Sequence, residues 1–236
     1  MENQRELLLS ASRKAWKMSS MHGTAYDKDY KKKYKAIWDS VWERDKHTCY
    51  YCGFTSKKHQ EIHHLNHDHS DNSTDNLVTV CPLCHQNFHL DMASTTNGGK
   101  IIWLPEMTQQ ELNYLCRAIF IAIEEAEQAD EQKEVVGFAK IAKMLEASLV
   151  ERTLIVEQQI QTGASDPANM ANALINLSEE LYENRQDYIT PFKLLNLKSR
   201  FSVQTKYWKQ ETYKNVPVET WPNLISLASK LDSDKK

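Results

Sequence analysis

The chain has 236 residues, 41% of them hydrophobic and 26% charged, with a formal net charge of −3. That balance is ordinary for a folded soluble protein, and the length suits one large domain or two small ones with real cores. No apolar run approaches the roughly 20 residues that cross a bilayer, and the opening Met1-Glu2-Asn3-Gln4-Arg5-Glu6 lacks a secretory pattern, so a cytoplasmic protein is expected. Charge is uneven. Lys28 to His59 holds nine Lys/Arg against four Asp/Glu, whereas Pro105 to Thr190 holds six against sixteen. A basic first half and an acidic second half point to different partners, and the acidic half to protein contacts or a solvated face rather than nucleic acid.

In chain order, Glu6–Ser10 reads as a short strand. Asp29–Arg44 reads as an amphipathic helix, with Tyr30, Tyr34, Ile37, Trp38, Val41 and Trp42 on one face and Lys31, Lys32, Lys33 and Lys35 on the other. Tyr51-Cys52-Gly53-Phe54 reads as a metal knuckle in which Gly53 takes a left-handed backbone. Glu61–Leu65 and Asn76–Val80 read as strands around a polar loop, Asn66–Asp75, and a short helix after Cys84 carries His85 and His89 on one face. Asn97-Gly98-Gly99 is a turn before a strand, Lys100–Leu104. Thr108 to Glu111 is a capping box opening a helix with Leu112, Leu115, Cys116, Ile119, Phe120 and Ile123 in register.

A second helix carries Val135, Phe138, Ile141, Ala142, Leu145 and Leu149. Asp166-Pro167 caps a third with the stripe Met170, Leu174, Leu177 and Leu181, and Thr190-Pro191 is expected to start a fourth containing Phe201 and Trp208. The stretch Val216 to Pro222 is too proline-broken to be helical and is expected to dock through Trp221; Leu231–Lys236 is expected to fray. The fold expected is α+β: a small treble-clef or ββα-metal zinc module followed by a mostly helical half. The divisions are 1–28 (N-terminal segment), 29–99 (zinc module), 100–214 (helical partner-binding region) and 215–236 (tail).

Chemistry concentrates in the module. Cys49-x-x-Cys52 and Cys81-x-x-Cys84 are 28 residues apart, and eight of the nine histidines lie between His47 and His89. Two thiolate pairs at this spacing suit one tetrahedral Zn2+ whose four sulfur ligands close the shell, which makes the site structural. Such thiols fit a reducing compartment. Cys116, on an apolar helical face, reads as core.

The histidines need a separate explanation. The set Cys-x-x-Cys, His63-His64, Asn76-Leu77 and Cys81-x-x-Cys84-His85-x-x-x-His89 resembles the HNH (ββα-metal) nuclease motif. That resemblance implies a second divalent metal (Mg2+, Mn2+, Ni2+ or Zn2+) held by His63, His85 and His89. His64, on the opposite strand face, would be the general base, with Asn76 bracing the loop and the base. Phosphodiester hydrolysis needs a deprotonated water, charge stabilisation at phosphorus and help for the leaving oxygen; one metal supplies the last two and a neutral histidine the first. His67, Asp68, His69 and Asp71 read as a solvated loop, and Tyr50 and Tyr51 as packing. The lysine run is a wet helix face that would meet phosphates if DNA were bound.

Beyond the motif, Gly98-Gly-Lys-Ile-Ile-Trp-Leu-Pro-Glu-Met-Thr-Gln-Gln-Glu-Leu-Asn-Tyr-Leu-Cys116 resembles the matching stretch of the IcmJ/DotN family of Dot/Icm type IVB secretion and conjugation systems. The likeness takes in Arg44–Phe54 and, more loosely, Asp166–Ala168 and Phe192–Trp208, spanning about residues 35 to 210 by eye. It implies a cytoplasmic zinc-binding subunit of a coupling complex. Such a subunit binds the coupling ATPase and other complex subunits, supports substrate recruitment, and reaches the inner-membrane face through partners only. The zinc ligands carry over as Cys49, Cys52, Cys81 and Cys84. The secretion-system form implies a degraded nuclease centre, yet this chain keeps His63, His64, Asn76, His85 and His89. Three readings follow, in this order: an assembly subunit, a metal-dependent HNH endonuclease or nickase acting through His64, and a nucleic-acid-binding zinc module without cleavage.

Overall fold

The computed structural model describes residues 7–11, 25–128 and 133–216. Glu6, the Trp221 stretch and the C-terminal six residues lie outside them. The architecture is mixed helix and sheet, with two separate two-stranded antiparallel sheets among the described residues.

Helix α1 (Ala25–Arg44) buries Val41 and half-buries Trp38 and Trp42. Its last residue clamps the next element: Arg44 donates through Nη1 to the Thr74 carbonyl and through Nη2 to that of Leu77, both at 2.7 Å. Asp45 accepts the Thr79 backbone N–H at 2.8 Å. The strands so held, β1 (Glu61–His64) and β2 (Leu77–Val80), pair with His63 opposite Val78 and His64 opposite Leu77. Alternation along β1 sends the two histidines to opposite faces.

The chain then enters α2 (Pro82–His85), a 3-10 turn (Gln86–Phe88) and α3 (Leu90–Thr95). Sequence spacing predicts a single helix through His85 and His89. Instead His89 breaks it with φ −132° and ψ 56°, because it pairs with Ala11 in an isolated bridge while Ser10 N–H donates to the Asn87 carbonyl. Residues 7–11 therefore pin this corner, burying Leu7 and Leu9, although these five form no continuous strand.

Strand β3 (Gly99–Trp103) pairs antiparallel with β4 (Phe192–Asn196), Gly99 opposite Asn196 and Trp103 opposite Phe192. Between them run α4 (Gln109–Gln128), α5 (Lys133–Glu151), α6 (Thr153–Gln159), α7 (Pro167–Ile175), α8 (Glu179–Glu183) and α9 (Gln186–Ile189). The expected capping box is present: Thr108 Oγ1 accepts the Glu111 N–H, and the Glu111 carboxylate accepts the Thr108 N–H. Asp166 caps α7 by accepting the Ala168 N–H at 2.8 Å. That helix ends at Ile175, so Leu177 falls in a turn and Leu181 on α8.

The helix expected from Thr190-Pro191 is replaced by β4, whose residues gain a sheet partner in β3. Phe201 and Trp208 follow in a 3-10 turn (Lys198–Phe201), α10 (Ser202–Tyr207) and a π-type turn (Trp208–Thr212). One hydrophobic cluster joins the ends of the molecule, from Cys49, Phe54 and Val80 through Leu112, Ile119 and Phe120 to Phe201 and Trp208. Among the described residues no helix is long and apolar enough to cross a membrane.

Candidate functional site

The knuckle is built locally. Cys49 N–H donates to the Phe54 carbonyl and Gly53 N–H to the Cys49 carbonyl, a turn that Gly53 closes at φ 69°. The second pair flanks the start of α2, where Pro82 sits in the first turn and frees no donor that needs satisfying. The result brings Cys49, Cys52, Cys81 and Cys84 together, their Sγ atoms all within 4.8 Å and every residue buried. Zn–S bonds of about 2.3 Å in a tetrahedron require sulfur–sulfur edges of about 3.8 Å; Cys52 and Cys81 stand 3.7 Å apart. None of the five cysteines is in a disulfide. The set fits a tetrahedral divalent metal.

Thiol ionisation is split across the quartet. Hydrogen bonds from Cys49, Cys81 and Cys84 pull the Cys52 thiol far down, aided by the positive charge of Arg117, while burial pushes Cys81 and Cys84 up. Cys116 lies apart in the core, its thiol pushed up to about 12 by burial.

Two side chains of α4 point at the sulfurs. Asn113 Nδ2 donates to Cys84 Sγ at 3.3 Å, and Arg117 Nη2 reaches Cys52 and Cys81 Sγ, each at 3.6 Å. Asn113 belongs to a buried amide chain. Gln109 donates to Asn113 Oδ1, Asn196 Nδ2 donates to the same oxygen, and Gln86 donates to Asn196 Oδ1 at 2.7 Å. Gln109 also makes a two-way bond with the Leu194 backbone, so α4, β4 and α2 share one polar network beside the cysteines. Buried amides are tolerated because they are hydrogen-bonded. From sequence this stripe was hidden, although Gln109, Asn113 and Arg117 recur at i, i+4 and i+8 in an otherwise apolar helix.

The histidines gather beside the cysteine centre, though among the described residues only the four cysteines form a metal-type set of three or more ligand atoms. His85 Nδ1 lies 2.6 Å from the Glu61 carboxylate, a bond that orients the imidazole. His85 Nε2 lies 3.3 Å from His89 Nε2, and two ligands at about 2.05 Å on a tetrahedral ion would stand about 3.3 Å apart. His63 stacks on Phe88, ring centroids 4.1 Å apart, with its Nε2 buried and unpartnered; burial, then the nearby His85, keeps it neutral. His64 faces the other way. Its Nε2 meets Asn72 Oδ1 at 3.3 Å, its buried Nδ1 has no partner, and burial lowers its pKa.

His64, His69, His85 and His89 line a cavity of about 540 Å³ with Trp38, Trp42 and Arg200. His69, read from sequence as part of a solvated loop, stands with its ring 4.8 Å from that of His64. Asn76 bonds the loop at both ends, accepting the Asn66 N–H at 3.0 Å and donating to the Asp71 carbonyl at 2.8 Å. The side-chain bond of His64 goes to Asn72 instead. Lys32, Lys33 and Lys35 of the basic helix are exposed, and Tyr51 is packed against Phe88.

An HNH endonuclease family model matches residues 49–90, the span holding both sets of side chains. A relative covers far more. The type 4 apparatus protein DotN of Legionella pneumophila subsp. pneumophila is 30% identical over 213 residues, 89% of this chain and 92% of its own length. The chain belongs to the DotN family and carries an HNH module with a four-cysteine metal-type site.

Proposed function

We propose that this chain is an assembly subunit of a type IV secretion apparatus, with the cysteine centre holding one structural Zn2+. The observation that carries this reading is the extent of the likeness to DotN, which spans the helical half as well as the HNH module. An apolar surface suits such a role. Ile141, Met144, Leu145, Leu154, Ile155 and Ile160 are exposed on α5, α6 and the residue after it, within the acidic half. Exposed apolar side chains in this number mark a protein contact. The partner class is the coupling ATPase and neighbouring coupling-complex subunits at the inner-membrane face, with substrate recruitment as the outcome.

The test is co-purification of the full-length chain with the coupling ATPase of its own secretion system, wild type against Ile141→Glu/Met144→Glu. Retention by wild type and loss by the charged variant, at unchanged metal content, is expected. No association of the wild type would end the assembly reading.

A second reading, an HNH nuclease acting on DNA, is favoured by the His85–His89 pair and the orphaned ring nitrogens of His63 and His64. A divalent metal bound by His85, His89 and His63 would stabilise charge on the phosphate. His64, neutral and facing the cavity, would take the proton from water, and Asn72 would hold its ring. Asn76 would keep the loop in shape. Nicking of supercoiled plasmid with Mg2+, Mn2+ or Ni2+ by wild type, lost in His64→Ala, is its expected result. Equal cleavage by His64→Ala would remove His64 from the chemistry, and no cleavage with any metal would leave the assembly role alone.

A further inference from the structure

Arg117 is an unusual residue to find inside a protein. It is 1% exposed, and among the described residues no carboxylate pairs with it: the nearby helix carboxylates Glu124 and Glu125 are taken by Lys198 and Lys209. Its guanidinium lies 3.7 Å above the Phe54 ring, with Trp208 and Tyr114 further out, and its Nε makes no hydrogen bond. Its polar contacts are two N–H···S bonds, to Cys52 and Cys81, and a side-chain bond with the neutral phenol of Tyr213. A buried guanidinium is always charged and needs a compensating negative charge close by. Four neutral thiols would not supply it. Four thiolates around a divalent ion carry two net negative charges, and they lie where the guanidinium points.

We propose that Arg117 is the resident counter-charge of the cysteine metal centre, and that through it metal occupancy is coupled to the docking of the helical half. The proposal rests on the reading of Cys49, Cys52, Cys81 and Cys84 as a metal site. Arg117 is a positioning residue. It stands on α4, outside the segment that holds the ligands, and its aromatic neighbour Trp208, fully buried, closes the C-terminal end of the same core. With the metal bound, Arg117 neutralises half of the centre's charge and ties α4 and the Trp208 turn to the knuckle. Without the metal the thiolate charge gathered in front of it is smaller. Its contribution to stability is therefore larger with the metal bound.

The experiment compares wild type, Arg117→Met and Arg117→Lys as full chains, each with metal bound and after chelation. Metal transfer to a chromogenic chelator should be about 10- to 100-fold more favourable for Arg117→Met, the range for loss of an outer-shell partner, with Arg117→Lys between. Arg117→Met should melt lower than wild type with metal bound, and by a smaller margin once metal is removed. A merely structural arginine predicts the same drop in both states, and that result, or unchanged metal affinity, overturns the proposal.

Should Arg117→Met fail to fold, hydrogen exchange on the wild type decides. Chelation should raise exchange in 109–120 and 202–212, which hold no ligands, as well as in 47–55 and 77–85. A rise confined to the ligand segments contradicts the coupling. Metal content of the wild type is read separately: a purified chain whose metal does not depend on the cysteines ends the metal reading itself.

Discussion

The cysteine centre and the histidine cleft share helix α2, where Cys84 and His85 are sequence neighbours, and differ in almost every other respect. The cysteines are wholly enclosed, their four sulfurs gathered and supplied with N–H donors from a helix that enters the chain 25 residues later at Gln109. The histidines border a cavity of about 540 Å³, and two of them, His85 and His89, stand at metal-ligand separation while His63 is packed under Phe88. A closed ligand shell suits a structural ion, and an accessible one suits chemistry or exchange. The difference lies in what surrounds each set of side chains, not in the motif that announces them.

The largest effect expected is at the closed centre. Cys81→Ser removes one of the four enclosed sulfurs, and because binding energy at such a site is folding energy, the variant should lose its metal and melt far below the wild type. A variant with a wild-type melting curve would contradict a structural role. Phe88→Ala sharpens the comparison from the other side. Phe88 is buried between Tyr51 of the knuckle and His63 of the cleft, so truncation should cost about 3 kcal/mol by denaturant titration while metal content stays at the wild-type level. Loss of metal alongside stability would mean that the two regions are not separable.

The cleft should also make the fold acid-sensitive. Burial holds the pKa of His63, His64 and His67 below the ordinary 6.5. Groups with a lowered folded value give their full stabilisation above pH 6.5, where the unfolded chain is neutral too. Stability is lost as pH falls from 6.5 towards the folded values, because the unfolded chain takes up protons first. Melting temperature should thus fall from pH 7.5 to pH 5.5, and less steeply in His63→Phe; equal slopes would show that His63 is not a neutral buried group. The smallest effect concerns neither region. Asp166→Ala removes the cap of α7 and should cost about 1 kcal/mol, with metal content and pH response unaltered.

Much of this was legible because it is local. The Cys-x-x-Cys pairs, the glycine after Cys52, the capping box at Thr108 and the Asp166-Pro167 start each state their geometry within a few residues. What was not legible depends on partners far along the chain. Phe192–Asn196 becomes a strand only because β3 waits across the whole helical excursion. Spacing puts His85 and His89 on one helix, yet a bridge to Ala11 breaks that helix and their nitrogens still meet. Gln109, Asn113 and Arg117 look like a solvated stripe until β4 and the cysteines are folded against them. His69 looks like loop until the hairpin carries it to the cavity beside His64. Sequence reasoning expects Asn76 to brace both the loop and His64, but its bonds go to the loop and Asn72 meets His64.

The most direct test of the contrast is metal stoichiometry by elemental analysis and native mass spectrometry on three full-length proteins: wild type, Cys81→Ser and His85→Ala. The account predicts one zinc retained by wild type and by His85→Ala, and lost by Cys81→Ser. A zinc that survives Cys81→Ser and disappears with His85→Ala would contradict it, moving the structural metal to the histidines and leaving Arg117 without its counter-charge.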